Sequence, residues 1–172
     1  MGKKLRIFDF DNTLVTTTSK IHVVSKDGIK TSYTTAGFAT DYKQQPGDQV
    51  DFTEFKDNKL RNPTEIPEMV TLFKMMSKRQ SSMYKTVILT ARGNHTPIKA
   101  WLARIGIGNV FVVALSTTQS SMKALWIEQQ ITRGFTDIHF YDDSLDNVTE
   151  VKRLIKKYPQ VNFVIKHVTT RR

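Results

Sequence analysis

The sequence predicts an α/β chain: a three-layer sandwich built on a mainly parallel, Rossmann-like sheet of about five strands. Three observations lead there. Short runs of β-branched and aromatic residues alternate with longer stretches whose apolar residues recur every three or four positions, the rhythm that brings strands together in parallel. Three of the strand-like runs stop abruptly in polar or ionisable residues, as expected at the edge where open parallel sheets bind ligands. Finally, 172 residues with 39% hydrophobic content suffice for one domain with a sizeable core and are short for two.

The first run, Leu5-Arg6-Ile7-Phe8-Asp9-Phe10, is apolar enough for a buried strand and ends in Asp11-Asn12-Thr13. Asp9 and Asp11 are two apart, so an extended backbone would point both to one side. Like charges held that close repel unless a cation or a shared proton compensates. Ile21 to Thr34 reads as a hairpin about Asp27-Gly28, and its weak, polar alternation suits a flap better than a central strand. His22, within it, is expected to be structural or solvent-facing. Residues 36–65 are the least regular, punctuated by Gly37, Gln45-Pro46-Gly47-Asp48 and Arg61-Asn62-Pro63. Asp51 to Phe55 is a short helix or an extended piece. Together, residues 15–65 are expected to form a small cap or flap insert. Its Phe38, Tyr42, Phe52 and Phe55 pack the insert onto the body in preference to stacking on a base.

The body resumes where Pro67 and Glu68 open a helix with Met69, Leu72, Phe73 and Met76 facing the sheet. Tyr84 to Leu89 is the second strand, ending in Thr90-Ala91-Arg92. Thr96-Pro97 opens a helix with a stripe of Ile98, Trp101, Leu102 and Ile105, closed by Gly106. Asn109 to Leu115 is a third strand, and Ser121 to Ile131 a third helix that carries Lys123 near its start. Ile138 to Tyr141 is the fourth strand, stopping at Asp142-Asp143-Ser144. Leu145, Val148, Val151, Leu154 and Ile155 mark the fourth helix, with Asp146 a first-turn charge for its dipole and Asn147 a local hydrogen-bonding residue. Val161 to Ile165 is the last strand.

Composition narrows the chemistry. The formal charge of +10 calls for an anionic partner or substrate. Its clusters are spread along the chain: Lys3-Lys4-Arg6, Lys78-Arg79, Lys152-Arg153, Lys156-Lys157 and Arg171-Arg172. The absence of cysteine rules out a disulfide scaffold, a thiolate nucleophile and cysteine-held zinc or iron–sulfur. No apolar stretch approaches a membrane span, and the start does not fit a signal peptide. The expected location is the cytoplasm, with no membrane partner. There is neither a dinucleotide glycine fingerprint nor a phosphate loop ending in Gly-Lys-Ser/Thr. The histidines, at 22, 95, 139 and 167, form no i,i+4 pair. If Asp9, Asp11, Asp142 and Asp143 gather at one sheet edge, oxygen donors alone favour Mg²⁺ over zinc.

Phe8-Asp9-Phe10-Asp11-Asn12-Thr13-Leu14 resembles the first motif of the haloacid-dehalogenase-like (HAD) superfamily, a hydrophobic strand followed by Asp-x-Asp-x-Thr. Val87-Ile88-Leu89-Thr90-Ala91-Arg92 resembles the second motif, Lys123 the third and Tyr141-Asp142-Asp143-Ser144 the fourth. The four follow in order, over residues 5–14 and 84 to about 165. The resemblance implies a HAD-like phosphatase in which Asp9 is the nucleophile and Asp11 the general acid/base. Thr90 and Lys123 hold the phosphoryl group, and Arg92, Asn12 and Thr13 bind substrate. Mg²⁺ is held by Asp9, Asp11 through its backbone carbonyl, Asp142 and Asp143. The layout is similar to the 3'-phosphatase domains of polynucleotide kinase-phosphatases and to small phage HAD proteins, which implies DNA or RNA 3'-phosphate ends or nucleotides as substrate. A small phosphorylated metabolite is the alternative. Two other classes stay open: an idle HAD fold that binds nucleic acid, and a receiver-like protein that retains its aspartyl-phosphate.

Overall fold

The chain begins with β1 (Lys3–Phe8) and then passes through seven short elements: β2 (Val15–Thr16), β3 (Ile21–Val24), β4 (Lys30–Tyr33), α1 (Thr35–Asp41), β5 (Gln49–Asp51), a 3₁₀ turn (Thr53–Lys56) and β6 (Thr64–Glu65). It continues with α2 (Pro67–Ser77), β7 (Tyr84–Thr90), α3 (Thr96–Arg104), β8 (Phe111–Ala114) and α4 (Ser120–Thr132). It ends with β9 (Phe135–Asp142), α5 (Leu145–Lys157) and β10 (Asn162–His167). This computed structural model describes residues 2–169, so the basic pair Arg171-Arg172 lies outside it.

Strand β1 is central because it is apolar on both faces. It pairs in parallel with β7 on one side and β9 on the other, and the order β10-β9-β1-β7-β8 is parallel throughout. Side chains alternate between the two faces with the period of two that strands impose. Phe8, Phe10, Ile88, Val112 and Tyr141 pack against Met69, Val70 and Phe73 of α2 and Ile98, Trp101 and Leu102 of α3. Leu5, Ile7, Val87, Leu89, Ile138 and Phe140 pack against Ala124 and Ile127 of α4 and Val148, Val151 and Leu154 of α5. Each such side chain, fully buried, contributes roughly 1.5–3 kcal/mol from apolar burial. The result is a three-layer α/β sandwich of Rossmann-like form.

The strand order fixes where a ligand can sit. From β1 the chain steps outward through β7 and β8, then returns past β1 to β9 and β10. Right-handed crossovers require the helices to change face when the direction reverses. The reversal leaves a crevice between the carboxyl ends of β1 and β9, the usual binding place in open parallel sheets.

The insert is more ordered than its turn-rich sequence suggests. Its hairpin forms as read, with Gly28 at φ 83° in the turn, and β5 adds a third strand on the far side of β3. Helix α1, which no apolar periodicity announces, has no buried residue. It is held by Thr34, whose Oγ1 accepts the Gly37 N–H at 2.9 Å, and by Phe38 stacked on Tyr42 at 4.6 Å. Asp51 to Phe55 splits between the end of β5 and the 3₁₀ turn. Strands β2 and β6 pair antiparallel and form the stem through which the chain leaves and re-enters the body.

In the body the main corrections concern faces and ends. The inner face of α2 is Met69, Val70, Phe73 and Ser77, while Leu72 and Met76 flank it. In α5, Leu145 and Ile155 point outward, at 61% and 46% exposure. Strand β9 starts at Phe135, and β8 is shorter than its apolar run because it is an edge strand, with Phe111 71% exposed. Among the described residues, no helix is long and apolar enough to cross a membrane.

Candidate active site

The site begins with a turn. The Asp9 N–H continues the ladder by donating to the Tyr141 carbonyl at 2.9 Å, which lays Asp9 along the crevice. The carbonyl of Phe10 then accepts the N–H groups of Thr13, Leu14 and Val15, and Asn12 takes φ 60°. Asn tolerates this left-handed conformation better than most residues. The chain turns at Asn12, just after Asp11, and the two carboxylates take different partners. Asp9 faces Lys123, whereas Asp11 is gripped by Arg92. They remain close enough for the Asp11 charge to act on Asp9.

Lys123 is the hub. It lies on the inner face of α4 with Ala124 and Ile127, 3% exposed, and not on the solvent face that an amphipathic helix usually gives a lysine. Its Nζ donates to Asp9 Oδ1 at 2.9 Å and to Asp142 Oδ2 at 2.8 Å, joining the ends of β1 and β9. Asp142, fully buried, also accepts from the Ser144 N–H at 2.9 Å and from Asn147 Nδ2 at 3.1 Å. Ser144 in turn caps α5 by accepting the Asn147 N–H, so the helix start and the Asp142 carboxylate are fixed together. Carboxylate oxygens of Asp9, Asp142 and Asp143 lie within 4.8 Å of one another.

Three carboxylates with one ammonium leave excess negative charge in a dry place. Burial pushes the Asp9 carboxyl up to about 8; Lys123 opposes this, while Asp143 and Asp11 add to it. Burial, joined by the charge of Asp9, raises Asp142 to about 6, and burial, joined by Asp142, raises Asp143 to about 6. For Lys123, burial works against the charge, but Asp142 and Asp9 outweigh it and raise its pKa. The cluster thus either retains protons at neutral pH or takes a cation. Oxygen donors alone, in this number, fit a hard divalent ion such as Mg²⁺. Asp9, Asp142 and Asp143 could hold it.

The remaining residues surround this core. Thr90, 1% exposed, accepts the Arg92 N–H on its Oγ1 at 3.1 Å, which leaves its hydroxyl hydrogen uncommitted. Arg92 donates from Nε and Nη2 to Asp11 Oδ2 and Oδ1, both at 2.8 Å, a bidentate pair. Its guanidinium lies over Phe55 of the insert, 4.8 Å from the ring centroid, so Arg92 positions Asp11 and docks the insert at once. Thr13, expected to touch substrate, is fully buried, and its Oγ1 donates to Asp9 Oδ2 at 3.2 Å: it orients a carboxylate instead. Asn12 is 5% exposed and serves the turn. Asp146 is exposed in the first turn of α5, outside the carboxylate group. His22 bridges Ser32 and Glu54 inside the insert, a structural role.

Phe55 packs the insert onto the body as the sequence suggests, but its pairing with Arg92 had no signal there, nor had Asn94, whose Nδ2 donates to the Lys56 carbonyl and to Asn58 Oδ1. Both depend on contacts between segments more than thirty residues apart. Comparison with protein-family models, curated proteins and solved structures gives no match for this chain.

Proposed function

We propose that the chain is a HAD-type, magnesium-dependent phosphomonoester hydrolase that works through an aspartyl-phosphate on Asp9. The observation that carries this reading is the Lys123 bridge between Asp9 and Asp142 at the crevice between β1 and β9. It joins residues of three motifs, far apart in sequence, at the ligand-binding edge of the sheet.

In this reading an Asp9 oxygen attacks phosphorus and the bond to the leaving alcohol breaks, with Asp11 giving that oxygen a proton. Water then attacks the phosphorus of the aspartyl-phosphate, Asp11 takes its proton, and the bond to Asp9 breaks to release phosphate. Thr13 and Lys123 keep the Asp9 carboxylate aimed, and Arg92 does the same for Asp11. The Thr90 hydroxyl and the Lys123 ammonium are donors for the phosphoryl oxygens. Asp9, Asp142, Asp143 and the Asp11 carbonyl would hold Mg²⁺, which would offset the charge between carboxylate and phosphate.

The substrate class we favour is a terminal 3'-phosphate of DNA or RNA, or a nucleotide, because the insert is small and the body basic. The test is phosphate release from 3'- and 5'-phosphorylated oligonucleotides, nucleotides, sugar phosphates and an aryl phosphate. Turnover that needs Mg²⁺ and disappears in Asp9→Asn supports the mechanism, and preference for the 3'-phosphorylated oligonucleotide supports the substrate. No Mg²⁺-dependent turnover on any of them refutes both.

A further inference from the structure

The insert carries as many acidic as basic residues, so the whole +10 excess lies on the body. Much of it collects at the amino-terminal edge of the sheet, opposite the carboxylate cluster. There an open cavity of about 200 Å³ lies under the end of α2. Its floor is sheet: Lys4 pairs in register with Tyr84, and Arg6 with His139. Its wall is Met75, Met76 and Arg79 from the last turn of α2 and the residues just beyond.

Basic residues at a helix carboxyl end ordinarily answer the partial negative charge of its free carbonyls. That accounts for Lys74 and Lys78, but not for Lys4 and Arg6, which come from a strand and converge on the same space. The Asp137 carboxylate is shared between Arg6, 3.1 Å from Nη1, and His139, 3.6 Å from Nε2. Lys4 and Arg79 have no acidic partner among the described residues. Arg6 itself is 6% exposed, with its guanidinium over the Tyr84 ring at 5.2 Å and a network fixing only Nη1. Beside it in the β1–β7 register, Thr86 is 1% exposed and its hydroxyl has no partner. Beside the Arg6 and His139 pairs with Asp137, the cavity offers two cations with no acidic partner, Lys4 and Arg79, for an anion. The flanking methionines and tyrosine suit an organic body attached to it.

We propose that this cavity is a second ligand site, which binds a phosphate group carried by a nucleotide or by a nucleic-acid backbone. It lies roughly 10 Å along β1 from Asp9, counting three residues of strand rise. It requires none of the reaction assigned above, so either can fail alone.

The experiment uses isotope-labelled protein in chelator, where no turnover occurs. Backbone amide shifts are followed during titration with inorganic phosphate, a nucleoside monophosphate, and an oligonucleotide without terminal phosphates. Saturable shifts at Lys4, Arg6, Tyr84 and His139 are expected. The double variant Lys4→Ala, Arg79→Ala should weaken binding about tenfold or more and leave aryl-phosphate turnover unchanged. Both side chains are exposed, and the Arg6–Asp137 pair is retained, so the fold should survive; Arg79→Glu alone is the second variant, with the same loss expected. Binding of the oligonucleotide tighter than of the other two assigns the cavity to a backbone, tightest binding of the nucleoside monophosphate assigns it to a nucleotide, and equal affinity for inorganic phosphate alone would overturn both. Shifts confined to residues around Asp9, Thr90 and Lys123, or undiminished binding by both variants, would overturn the proposal.

Discussion

Removing the ammonium of Lys123 would leave Asp9 and Asp142 buried side by side with no cation between them. Breaking a buried pair from one side is strongly destabilising, so Lys123→Met should cost about 3–5 kcal/mol in thermal or denaturant unfolding of the metal-free protein. Asp9→Asn works the other way. It removes a carboxyl that must take up a proton on folding at neutral pH, and should raise metal-free stability by about 1–3 kcal/mol while abolishing phosphate release. Opposite signs at two ends of one 2.9 Å contact are a sharp test, and a destabilised Asp9→Asn protein would contradict the electrostatic account. At this scale the sequence was informative where chemistry is odd for its place: acidic residues closing apolar strands have no packing reason to be there. It was silent on partners. Nothing in Phe8-Asp9-Phe10-Asp11 says that three N–H groups will fold back onto the Phe10 carbonyl, or that Asp9 and Asp11 will take Lys123 and Arg92 as separate partners.

Among the elements, the body strands and helices were legible because their apolar periods are strong and each ends in a turn or capping residue. The insert was legible only in its hairpin, since α1 buries nothing and its strands are two to four residues long. Such a segment depends on a few contacts, which makes it easy to loosen. Phe55 is 8% exposed and lies against Arg92. Phe55→Ala should remove about 3 kcal/mol or more of local stability. Amide exchange is expected to quicken across residues 49–56 and hardly change in β1 and β7. Equal acceleration everywhere would mean that the insert and body unfold as one. A contrasting case is Gly106, at φ 79° behind α3 with open space where a Cβ would go. Gly106→Ala should cost about 1 kcal/mol from backbone conformation alone, read by denaturant unfolding, without changing turnover.

Over the whole molecule, the raised carboxyls make stability depend on pH in an unusual direction. The unfolded chain releases its aspartate protons near pH 4, whereas the folded, metal-free site holds them to about 6 at Asp142 and Asp143 and about 8 at Asp9. Between those limits the folded state binds more protons, so its stability falls as pH rises. Melting temperatures in chelator should therefore decline from pH 5.5 to 8.5. Under the proposed function Mg²⁺ would bind the folded form and displace those protons, so that adding it should flatten the decline, with the largest gain at high pH. A flat profile in chelator would show that the cluster is less strained than its burial implies. The stem has a consequence of another kind. Because β2 and β6 lie side by side, and the Ile66 N–H donates to the Leu14 carbonyl at 2.8 Å, the chain departs and returns within about one strand spacing, roughly 4.8 Å. A tight turn spans that gap as well as fifty residues do. The stem thus fixes both ends of the segment whatever its length, and the Phe55 seat of Arg92 is a contact that any exchanged or trimmed segment would have to replace.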